Sequence, residues 1–359
     1  MNTNLHLVIM AGGSGTRFWP KSTSRKPKQL LAFGKSSGGA SQTLLQQTSS
    51  RFDGLVASGN RWIVTTELLE KAVQEDSPTA RVLAEPQARN TAPCVYWAAR
   101  AVAAVNPKAV MLVMPADHYI PYIEKFQAII SAAVAWAIEY DDLVTLGVKP
   151  SRPETGYGYL KGGADLGKGA KKVDAFVEKP NLARAEEFLR AGNYLWNGGM
   201  FVWRAEVILA AFDRLMPEMK RAWEDSGGDI AVAYPMMTAT SIDYGIMEKA
   251  AAGASGLGSV VTFPLDCGWD DLGSWTSLEN LADELNARLE GSVVSAGDLV
   301  AIESVGNIVD APGRTVALLG VNDLIIVESG NAILVAQKNR AQDIKLVVEA
   351  VKKKKPELI

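Results

Sequence analysis

Short apolar runs alternate with amphipathic stretches along the chain before residue 288. The runs are rich in β-branched residues and end at glycine or polar turns, as buried strands do. They cover residues 5–10, 61–65, 110–114 and 143–148. Stretches with the apolar spacing of helices lie between them, at residues 43–51, 91–104 and 125–139. This alternation predicts an α/β fold with a Rossmann-like, mostly parallel sheet, whose ligands bind beyond the carboxyl ends of the strands.

The pattern changes after Arg288, where short strand-like runs are separated by Gly, Asn and Asp. The runs are residues 293–294, 299–302, 307–309, 315–319, 324–327 and 332–336. Their close spacing predicts a small all-β module, either β-helix-like (a solenoid) or a sandwich. We therefore predict a larger α/β domain over residues 1–288 and a small C-terminal β domain, with a terminal helix or tail, over residues 289–359.

Composition narrows the class of protein. The 359 residues are 48% hydrophobic and carry a formal net charge of −3, which provides no long-range attraction for nucleic acid or an anionic membrane. The apolar run at residues 5–10 is too short for a signal-peptide core or a membrane span. Cys94 and Cys267 lie far apart, so we expect packing roles and no disulfide. These features predict a soluble, cytoplasmic enzyme-sized protein.

Any metal must depend on oxygen ligands. The sequence contains only two histidines, His6 and His118, which excludes a multi-histidine zinc site. Magnesium (Mg²⁺), which prefers oxygen ligands, is the natural candidate.

The strand at residues 5–10 runs directly into a glycine-rich loop. The loop consists of Ala11, Gly12, Gly13, Ser14, Gly15, Thr16 and Arg17. Glycines let the backbone approach a polyphosphate and turn N–H groups toward it, and Arg17 offers a planar fork of donors. The loop lacks the P-loop pattern, and Phe18 replaces the third glycine of the dinucleotide fingerprint, which disfavours nicotinamide-dependent oxidoreductases. Alone, the loop is also compatible with a tight strand-to-helix turn.

Lys28 is the next candidate. Pro27 disfavours helix immediately before it, so this cation can fold back over bound phosphates. A compact positive charge there would stabilise negative charge that develops in a transition state. Without further context, a surface lysine is the simpler interpretation.

The loop followed by Lys28-Gln29-Leu30 resembles the signature of the sugar nucleotidyltransferases, the nucleoside-diphosphate-sugar pyrophosphorylases. Later motifs follow in that family's order over nearly the whole chain. They are Glu85-Pro86 with Arg89-Asn90-Thr91-Ala92-Pro93, Pro115-Ala116-Asp117-His118, Gly156-Tyr157-Gly158-Tyr159, Glu178-Lys179-Pro180, and residues 196–201 and 268–275. Together they are similar to the members that use GTP and mannose 1-phosphate. The resemblance implies transfer of GMP to mannose 1-phosphate, with Arg17, Lys28, Asp117 and Asp271 in catalytic roles.

The acids of these motifs also have a physical interpretation. Asp117 follows the strand at 110–114, and a second acid comes from the Asp270-Asp271 pair. Two carboxylates with phosphate oxygens and waters would complete an octahedral magnesium shell. The resemblance implies Asp117 and Asp271 as the metal ligands, with Asp270 in reserve. For either acid taken alone, a helix cap or a turn residue is the simpler interpretation, and the ordered set of motifs reverses that preference.

Glu85 is the candidate for base recognition. Its carboxylate can accept from both N–H donors on the guanine edge, a pattern that adenine and the pyrimidines do not offer. The simpler alternative is an exposed acid at the end of a strand. The resemblance implies that Asn90 and Thr91 assist in nucleotide binding.

For the sugar phosphate, the resemblance implies a further set of residues. They are Tyr157, Gly158, Glu178, Lys179 and Asn197. Outside the family context, the glycines and tyrosines describe only an interrupted strand, and Glu178-Lys179-Pro180 only a strand exit.

Several alternatives stay open. They are the same chemistry on another sugar phosphate or base, and a non-catalytic nucleotide-sugar sensor. Retention of Arg17, Lys28, Asp117 and Asp271 disfavours the sensor. The β appendage is a candidate for packing or dimer contacts, so a homodimer is one expected state. Some family members carry a phosphomannose isomerase domain, and we expect isomerase activity to be absent here.

Overall fold

A computed structural model of the protein describes residues 4–13, 15–33, 42–253, 258–283 and 285–359. The chain divides into two compact units that interleave along the sequence. The first unit comprises residues 1–12, 48–116 and 120–269. The second comprises residues 13–47, 117–119 and 270–359. This division differs from the single boundary at residue 288, which stays a prediction, and Ser14 of the glycine-rich loop lies outside the described residues.

The first unit is built on a mixed β-sheet. Its strands, over the described residues, are β1 (Leu5–Met10), β2 (Arg61–Thr66), β3 (Arg81–Glu85), β4 (Val110–Pro115), β5 (Leu143–Val148), β6 (Tyr159–Gly167), β7 (Ala170–Val177), β8 (Tyr194–Arg204) and β9 (Val260–Leu265). Their order is β3-β2-β1-β4-β8-β5-β9-β7-β6. Strands β1 to β4 pair in parallel, so their carboxyl ends share one edge of the sheet, while β8 runs antiparallel to β4 and β5. The predicted Rossmann-like fold is confirmed.

Helices cover this sheet and connect its strands. Those of the described residues are α1 (Leu44–Ser50), α2 (Glu70–Asp76), α3 (Thr91–Val105), α4 (Ile123–Glu139), α5 (Leu182–Ala191), α6 (Ala205–Leu215), α7 (Pro217–Asp225), α8 (Ile230–Met236), α9 (Glu248–Ala251), α10 (Ser277–Leu281) and α11 (Ile344–Lys354). A single π-helical turn, Asp243–Met247, precedes α9. The stretches predicted as helices correspond to α1, α3 and α4. No helix within the described ranges combines the length and apolarity that a membrane crossing requires.

The core of the first unit lies between the sheet and helices α3, α6, α7 and α8. Tyr96 of α3 meets Phe212 of α6 edge to face, with ring centroids 5.1 Å apart. On the sheet, Phe201 and Trp203 stack with centroids 5.0 Å apart. Each of these side chains is fully buried, so the apolar face predicted for the helix at 91–104 is the face that packs.

The second unit contains the C-terminal strands. They are β10 (Arg288–Leu289), β11 (Ser292–Ile302), β12 (Ile308–Leu319), β13 (Leu324–Ser329) and β14 (Ala332–Gln337). Strand β12 pairs in parallel with both β11 and β13, while β10 and β14 add antiparallel edges. Consecutive parallel strands joined by short turns have the β-helix-like arrangement that the sequence analysis offered as one of two possibilities.

Two of the predicted strand boundaries were wrong. The runs at 293–294 and 299–302 belong to the single strand β11, and those at 307–309 and 315–319 belong to β12. Gly297 and Gly313 interrupt the apolar pattern, but their positive φ values of 94° and 70° bend the strands without ending the pairing. The register between β11 and β12 shifts at this bend. A β-carbon on Gly297 would lie 2.2 Å from the Ala311 carbonyl oxygen, so glycine is required there for close approach.

An aromatic cluster forms the main core of the second unit. Phe18, at the end of the glycine-rich loop, lies with its ring centroid 5.0 Å from that of Trp275 and 5.3 Å from that of Phe33. The same core includes Ile344 and Val348 of α11. The flank of the loop is therefore anchored in the core that the C-terminal residues complete.

The Asn307 side chain supplies hydrogen-bond partners to backbone groups at a turn of the β module. Its side chain is fully buried. The side-chain oxygen accepts from the Leu324 N–H at 2.9 Å, and the side-chain nitrogen donates to the Val321 carbonyl at 3.1 Å. A buried amide that makes both bonds is costly to truncate, because the two backbone groups lose their partners.

We expect Asn307→Ala to lower the free energy of unfolding by about 1–3 kcal/mol, because a buried donor and acceptor are left unpaired. Differential scanning calorimetry compares its melting temperature with that of Asn339→Ala, which truncates an asparagine on the surface of the same unit. Equal melting temperatures for the two variants would contradict this role.

Candidate active site

A cavity of about 290 Å³ in the second unit gathers most of the predicted phosphate-side residues. Its walls come from three segments that are distant in sequence. They are Gly15, Thr16, Arg17, Phe18 and Lys28, then Asp117 and His118, then Asp271, Leu272 and Gly273. The polar members carry charges of both signs, which suits a site for an anion together with a cation.

The glycine-rich loop turns sharply at Gly15. This residue has a φ of +56°, in the left-handed region. A β-carbon there would lie 2.5 Å from the Lys28 β-carbon and 2.6 Å from the Lys28 backbone nitrogen. Gly15 therefore allows both the turn and the close passage of the Lys28 segment, where any side chain would collide. Arg17, in the 3₁₀ turn that follows, is exposed, and its guanidinium donates to the Gly273 carbonyl at 3.4 Å.

Lys28 is buried, which excludes the surface lysine that the sequence also allowed. Pro27 is extended, with a ψ of 172°, and a 3₁₀ turn begins at Lys28. The Lys28 ammonium lies 2.8 Å from an Asp117 carboxylate oxygen and also donates to the Asp271 carbonyl. It further lies 5.9 Å from the Phe18 ring centroid. The charge is thus held at the cavity wall by partners from two other segments.

Asp117 follows β4, as the sequence analysis placed it. Burial raises the pKa of its carboxyl, but the adjacent Lys28 ammonium, with a smaller contribution from His118, holds that pKa below its ordinary value. Asp117 is therefore a carboxylate at neutral pH.

Asp270 and Asp271 differ in their surroundings. One Asp270 carboxylate oxygen accepts from the Leu272 N–H at 2.7 Å and the other from the Asn280 amide at 3.1 Å. Asp271 lines the cavity, as does Asp117. The carboxylate of Asp270 is committed to a turn, whereas Asp271 borders the space where a ligand would bind.

The donor set of the cavity fits a magnesium ion that is completed by substrate. Magnesium is commonly held by one or two carboxylates together with phosphate oxygens and water, and Asp117 and Asp271 supply two carboxylates. Among the described residues, no group of three or more His, Cys, Asp or Glu side chains is arranged to hold a metal. The protein thus offers a partial shell rather than a complete cage.

The first unit carries the predicted base-recognition residue. Glu85 ends β3 and is 5% exposed, which excludes the exposed strand-end acid considered above. One of its carboxylate oxygens accepts a hydrogen bond from the Tyr234 hydroxyl. Burial raises the pKa of Glu85 to about 7, although the Tyr234 hydrogen bond lowers it in part. A β-carbon on Gly12 would lie 3.0 Å from the second oxygen of Glu85.

Asn90 and Thr91 form the start of α3. Asn90 has a φ of 66°, and its side-chain oxygen accepts from the Thr91 N–H, which caps the helix. The Thr91 hydroxyl accepts from the Ile242 N–H at 2.9 Å. A non-glycine residue at positive φ is strained, and such strain is often stored near functional sites.

The predicted sugar-phosphate residues lie together in the first unit. Asn197 donates its N–H to the Gly158 carbonyl at 2.8 Å, and the Lys179 ammonium lies 2.7 Å from one Glu178 oxygen. The second Glu178 oxygen is buried and has no hydrogen-bond partner among the described residues. A β-carbon on Gly158 would lie 2.4 Å from that oxygen, so glycine leaves the space that the carboxylate occupies. An unsatisfied buried acceptor beside an ammonium is suited to a hydroxyl-bearing ligand.

Two neighbours extend this group. The Asn197 amide nitrogen donates to Asp243 at 2.7 Å, while its oxygen accepts from the Thr145 hydroxyl at 3.0 Å. Burial, followed by the nearby Glu178 carboxylate, raises the pKa of Asp243 to about 6. The orientation of the Asn197 amide is therefore determined from both sides.

Aromatic side chains form a wall near the same group. The Tyr157 ring centroid lies 5.2 Å from that of Trp196 and 5.6 Å from that of Trp269. The Arg152 guanidinium lies 5.3 Å from the Trp196 centroid. Aromatic side chains together with a few polar groups are a common lining of small-ligand pockets.

Sequence reasoning missed several residues of these groups. Leu272, Gly273 and His118 fall inside motifs that the sequence analysis quoted, so a signal for them existed. Tyr234 and Asp243 had none, because each meets its partner across a long stretch of chain.

Comparison with known proteins gives the family. The nucleotidyl transferase family model matches residues 6–288, and the MannoseP isomerase/GMP-like beta-helix domain model matches residues 297–351. The first match covers more than half of the chain and includes every predicted site residue.

Similar proteins of known name support the same assignment. The mannose-1-phosphate guanylyltransferase of Escherichia coli K12 is 35% identical, over 98% of this chain and 74% of its own. The alginate biosynthesis protein AlgA of Pseudomonas aeruginosa is 36% identical, over 95% of this chain and 71% of its own. The crystal structure of mannose-1-phosphate geranyltransferase from Thermus thermophilus superposes with a TM-score of 0.84 at 32% identity, covering 98% of this chain and 100% of that one. By these matches the chain belongs to the nucleotidyltransferase family, within the group that contains the mannose-1-phosphate guanylyltransferases.

Proposed function

We propose that this protein transfers GMP from GTP to mannose 1-phosphate, forming GDP-mannose and pyrophosphate. The observation that carries the proposal is the cavity in which Lys28, Arg17 and two carboxylates surround the turn of the glycine-rich loop. Such a set matches a triphosphate with its accompanying cation better than it matches a neutral ligand. The names of the relatives point the same way.

The reaction is an in-line displacement. A phosphate oxygen of mannose 1-phosphate attacks the α-phosphorus of GTP, a new P–O bond forms, and the bond from the α-phosphorus to the bridging oxygen breaks as pyrophosphate leaves. The nucleophile is already an anion, so no strong general base is required, and positioning and charge neutralisation carry the catalysis.

Individual side chains have separate roles in this scheme. Arg17 and Lys28 stabilise the departing pyrophosphate, and the N–H groups of the loop at Gly12, Gly13, Gly15 and Thr16 contact the phosphates. The Ala11 N–H donates to the Val64 carbonyl at 2.7 Å, so Ala11 fixes the start of the loop beside the nucleotide. Asp117 and Asp271 would hold Mg²⁺, which would neutralise phosphate charge when bound. Lys179 receives the incoming sugar phosphate.

Recognition of the two substrates falls to the first unit. Glu85 accepts from the guanine edge, and Asn90 and Thr91 support the nucleotide. Glu178 accepts from sugar hydroxyls, Gly158 leaves room for them, and Tyr157 and Asn197 complete the sugar pocket. We further propose a cytoplasmic location, no nucleic-acid partner, and a homodimer as one state in solution.

The direct test is pyrophosphate release by purified protein with magnesium. GTP, ATP, UTP and dTTP are crossed with mannose, glucose and galactose 1-phosphates. We expect release with GTP and mannose 1-phosphate above all other pairs, because Glu85 offers two acceptors to the guanine edge. Pyrophosphate release with a different pair would support the same reaction on other substrates. No release with any pair would favour the nucleotide-sugar sensor.

We expect Lys28→Ala to lower kcat by about 10²–10³-fold while the KM for GTP changes much less, because Lys28 acts on charge that develops in the transition state. Steady-state kinetics measures both constants. Lys26→Ala, which removes an exposed lysine two residues away, serves as the control. Equal losses in turnover and in GTP binding would contradict the assigned role.

We expect Asp271→Asn to raise the magnesium concentration for half-maximal rate by at least about tenfold, the loss seen even for residues that only support metal ligands. Asp270→Asn is the matched comparison, because that carboxylate is committed to Leu272 and Asn280. Magnesium titration of both variants decides between them. The opposite ranking would make Asp270 the ligand.

A further inference from the structure

Glu85 and Tyr234 form a buried pair in the first unit. Glu85 ends β3, Tyr234 lies on α8, and the Tyr234 side chain is fully buried. The Tyr234 hydroxyl donates to one Glu85 oxygen, although 149 positions separate the two residues. The Tyr234 ring lies edge to face with that of Trp97, at 6.0 Å between centroids, so the hydroxyl has a defined position. The flexible glutamate side chain is thereby held in one orientation.

The second Glu85 oxygen lies toward Gly12. A β-carbon on Gly12 would be 3.0 Å from that oxygen, so the absence of a side chain leaves this face of the carboxylate uncovered. Tyr234 therefore engages one oxygen, and the other lies beside the start of the glycine-rich loop. Each carboxylate oxygen has more than one lone pair, so both can still accept from a ligand.

The groups that face this pair provide little positive charge. Cys94 of α3 lies close enough that burial, followed by the Glu85 charge, raises the pKa of its thiol well above the ordinary value, so it stays neutral. Arg89 faces Tyr234, but its guanidinium donates to the Met237 carbonyl. In the part of the chain that the structure describes, no salt bridge reaches Glu85. Burial and the Tyr234 hydrogen bond therefore oppose each other in setting the charge of Glu85.

The protonation state of Glu85 decides which base it matches. An ionised carboxylate presents two acceptors, which pair with the N1–H and 2-amino donors of guanine. A protonated carboxyl presents one donor and one acceptor, which pair with N1 and the 6-amino group of adenine. The same buried side chain thus favours guanine when ionised and tolerates adenine when neutral.

We propose that Tyr234 is a positioning residue for base selection, whose hydroxyl keeps Glu85 oriented and ionised so that the site prefers GTP over ATP. This inference rests on the proposed function, in which Glu85 contacts the base. Tyr234 remains a donor throughout the working range, because burial raises its own pKa far above the ordinary value of tyrosine. Loss of its hydroxyl raises the pKa of Glu85 further, so a larger fraction of Glu85 is protonated near neutral pH.

The test is Tyr234→Phe, with Tyr96→Phe as the matched control. Tyr96 is equally buried, and its hydroxyl has no hydrogen-bond partner among the described residues, so the control removes the same atom without removing a bond. Pyrophosphate release with mannose 1-phosphate gives KM and kcat for GTP and for ATP between about pH 6 and pH 9.

In the unsubstituted protein we expect the KM for GTP to rise as the pH falls through about 7, where Glu85 becomes protonated. In Tyr234→Phe the rise should begin about one pH unit higher, which makes KM about fivefold larger at pH 7 and nearly tenfold larger at about pH 6. At the alkaline end the pH-dependent part of the difference should disappear, since Glu85 is ionised in both, and any constant difference that remains measures the lost orientation of Glu85. In Tyr234→Phe the ratio of kcat/KM for GTP to that for ATP should fall over the same pH range in which the KM for GTP rises. Tyr96→Phe should behave like the unsubstituted protein.

Two results would overturn the inference. A KM increase of equal size at every pH would indicate a purely structural role for Tyr234, and a pH profile unchanged from the unsubstituted protein would indicate none. Glu85→Gln separates this failure from that of the proposed function. If Glu85→Gln keeps the GTP over ATP preference, the base-contact role of Glu85 fails; if it abolishes that preference while Tyr234→Phe is unchanged, only the role of Tyr234 fails.

Discussion

The ion pair between the buried Lys28 ammonium and Asp117 is the interaction on which the candidate active site depends. An unpaired ammonium in that position would cost several kcal/mol, so Lys28 stays buried only because Asp117 and the Asp271 carbonyl receive its donors. These contacts join three segments that are remote in sequence. They also place a positive charge beside the Asp117 carboxylate, in a cavity that Asp271 lines as well, an arrangement that a triphosphate and a cation together would balance.

Glycine makes this arrangement sterically possible. Gly15 lets the Lys28 segment pass within contact distance of the loop, and Gly158 plays the same part beside Glu178 in the first unit. At Gly15 a β-carbon would overlap the Lys28 backbone and β-carbon, which no rotamer change can relieve, and at Gly158 it would displace the Glu178 carboxylate. The glycines of the motifs therefore serve close packing around charged groups as much as turn formation.

In the first unit the polar side chains of the site are buried, and only some of their hydrogen-bonding atoms have partners. Glu85 accepts from Tyr234, and Asn197 lies between Asp243 and Thr145. One Glu178 oxygen is left without a partner in the described residues. Buried acids with raised pKa values cost stability, and proteins generally retain them where a ligand offsets that cost. The two groups thus differ in chemistry: the cavity of the second unit is built on the Lys28–Asp117 ion pair, whereas the first unit combines the Lys179–Glu178 ion pair with buried polar groups that have only some of their partners.

The sequence by itself determined the strands β1, β2, β4 and β5, the helices α1, α3 and α4, and the order of the motifs. These features depend on residues a few positions apart, whose periodicity and turn chemistry are local properties of the chain. Only the tertiary structure decided that Lys28 is buried, that Glu85 meets Tyr234, and that β11 and β12 continue through their glycines. Burial and partnership arise between segments that are distant along the chain, so no local pattern records them. The charge that a side chain carries in the folded protein follows from those partners and not from its sequence neighbours.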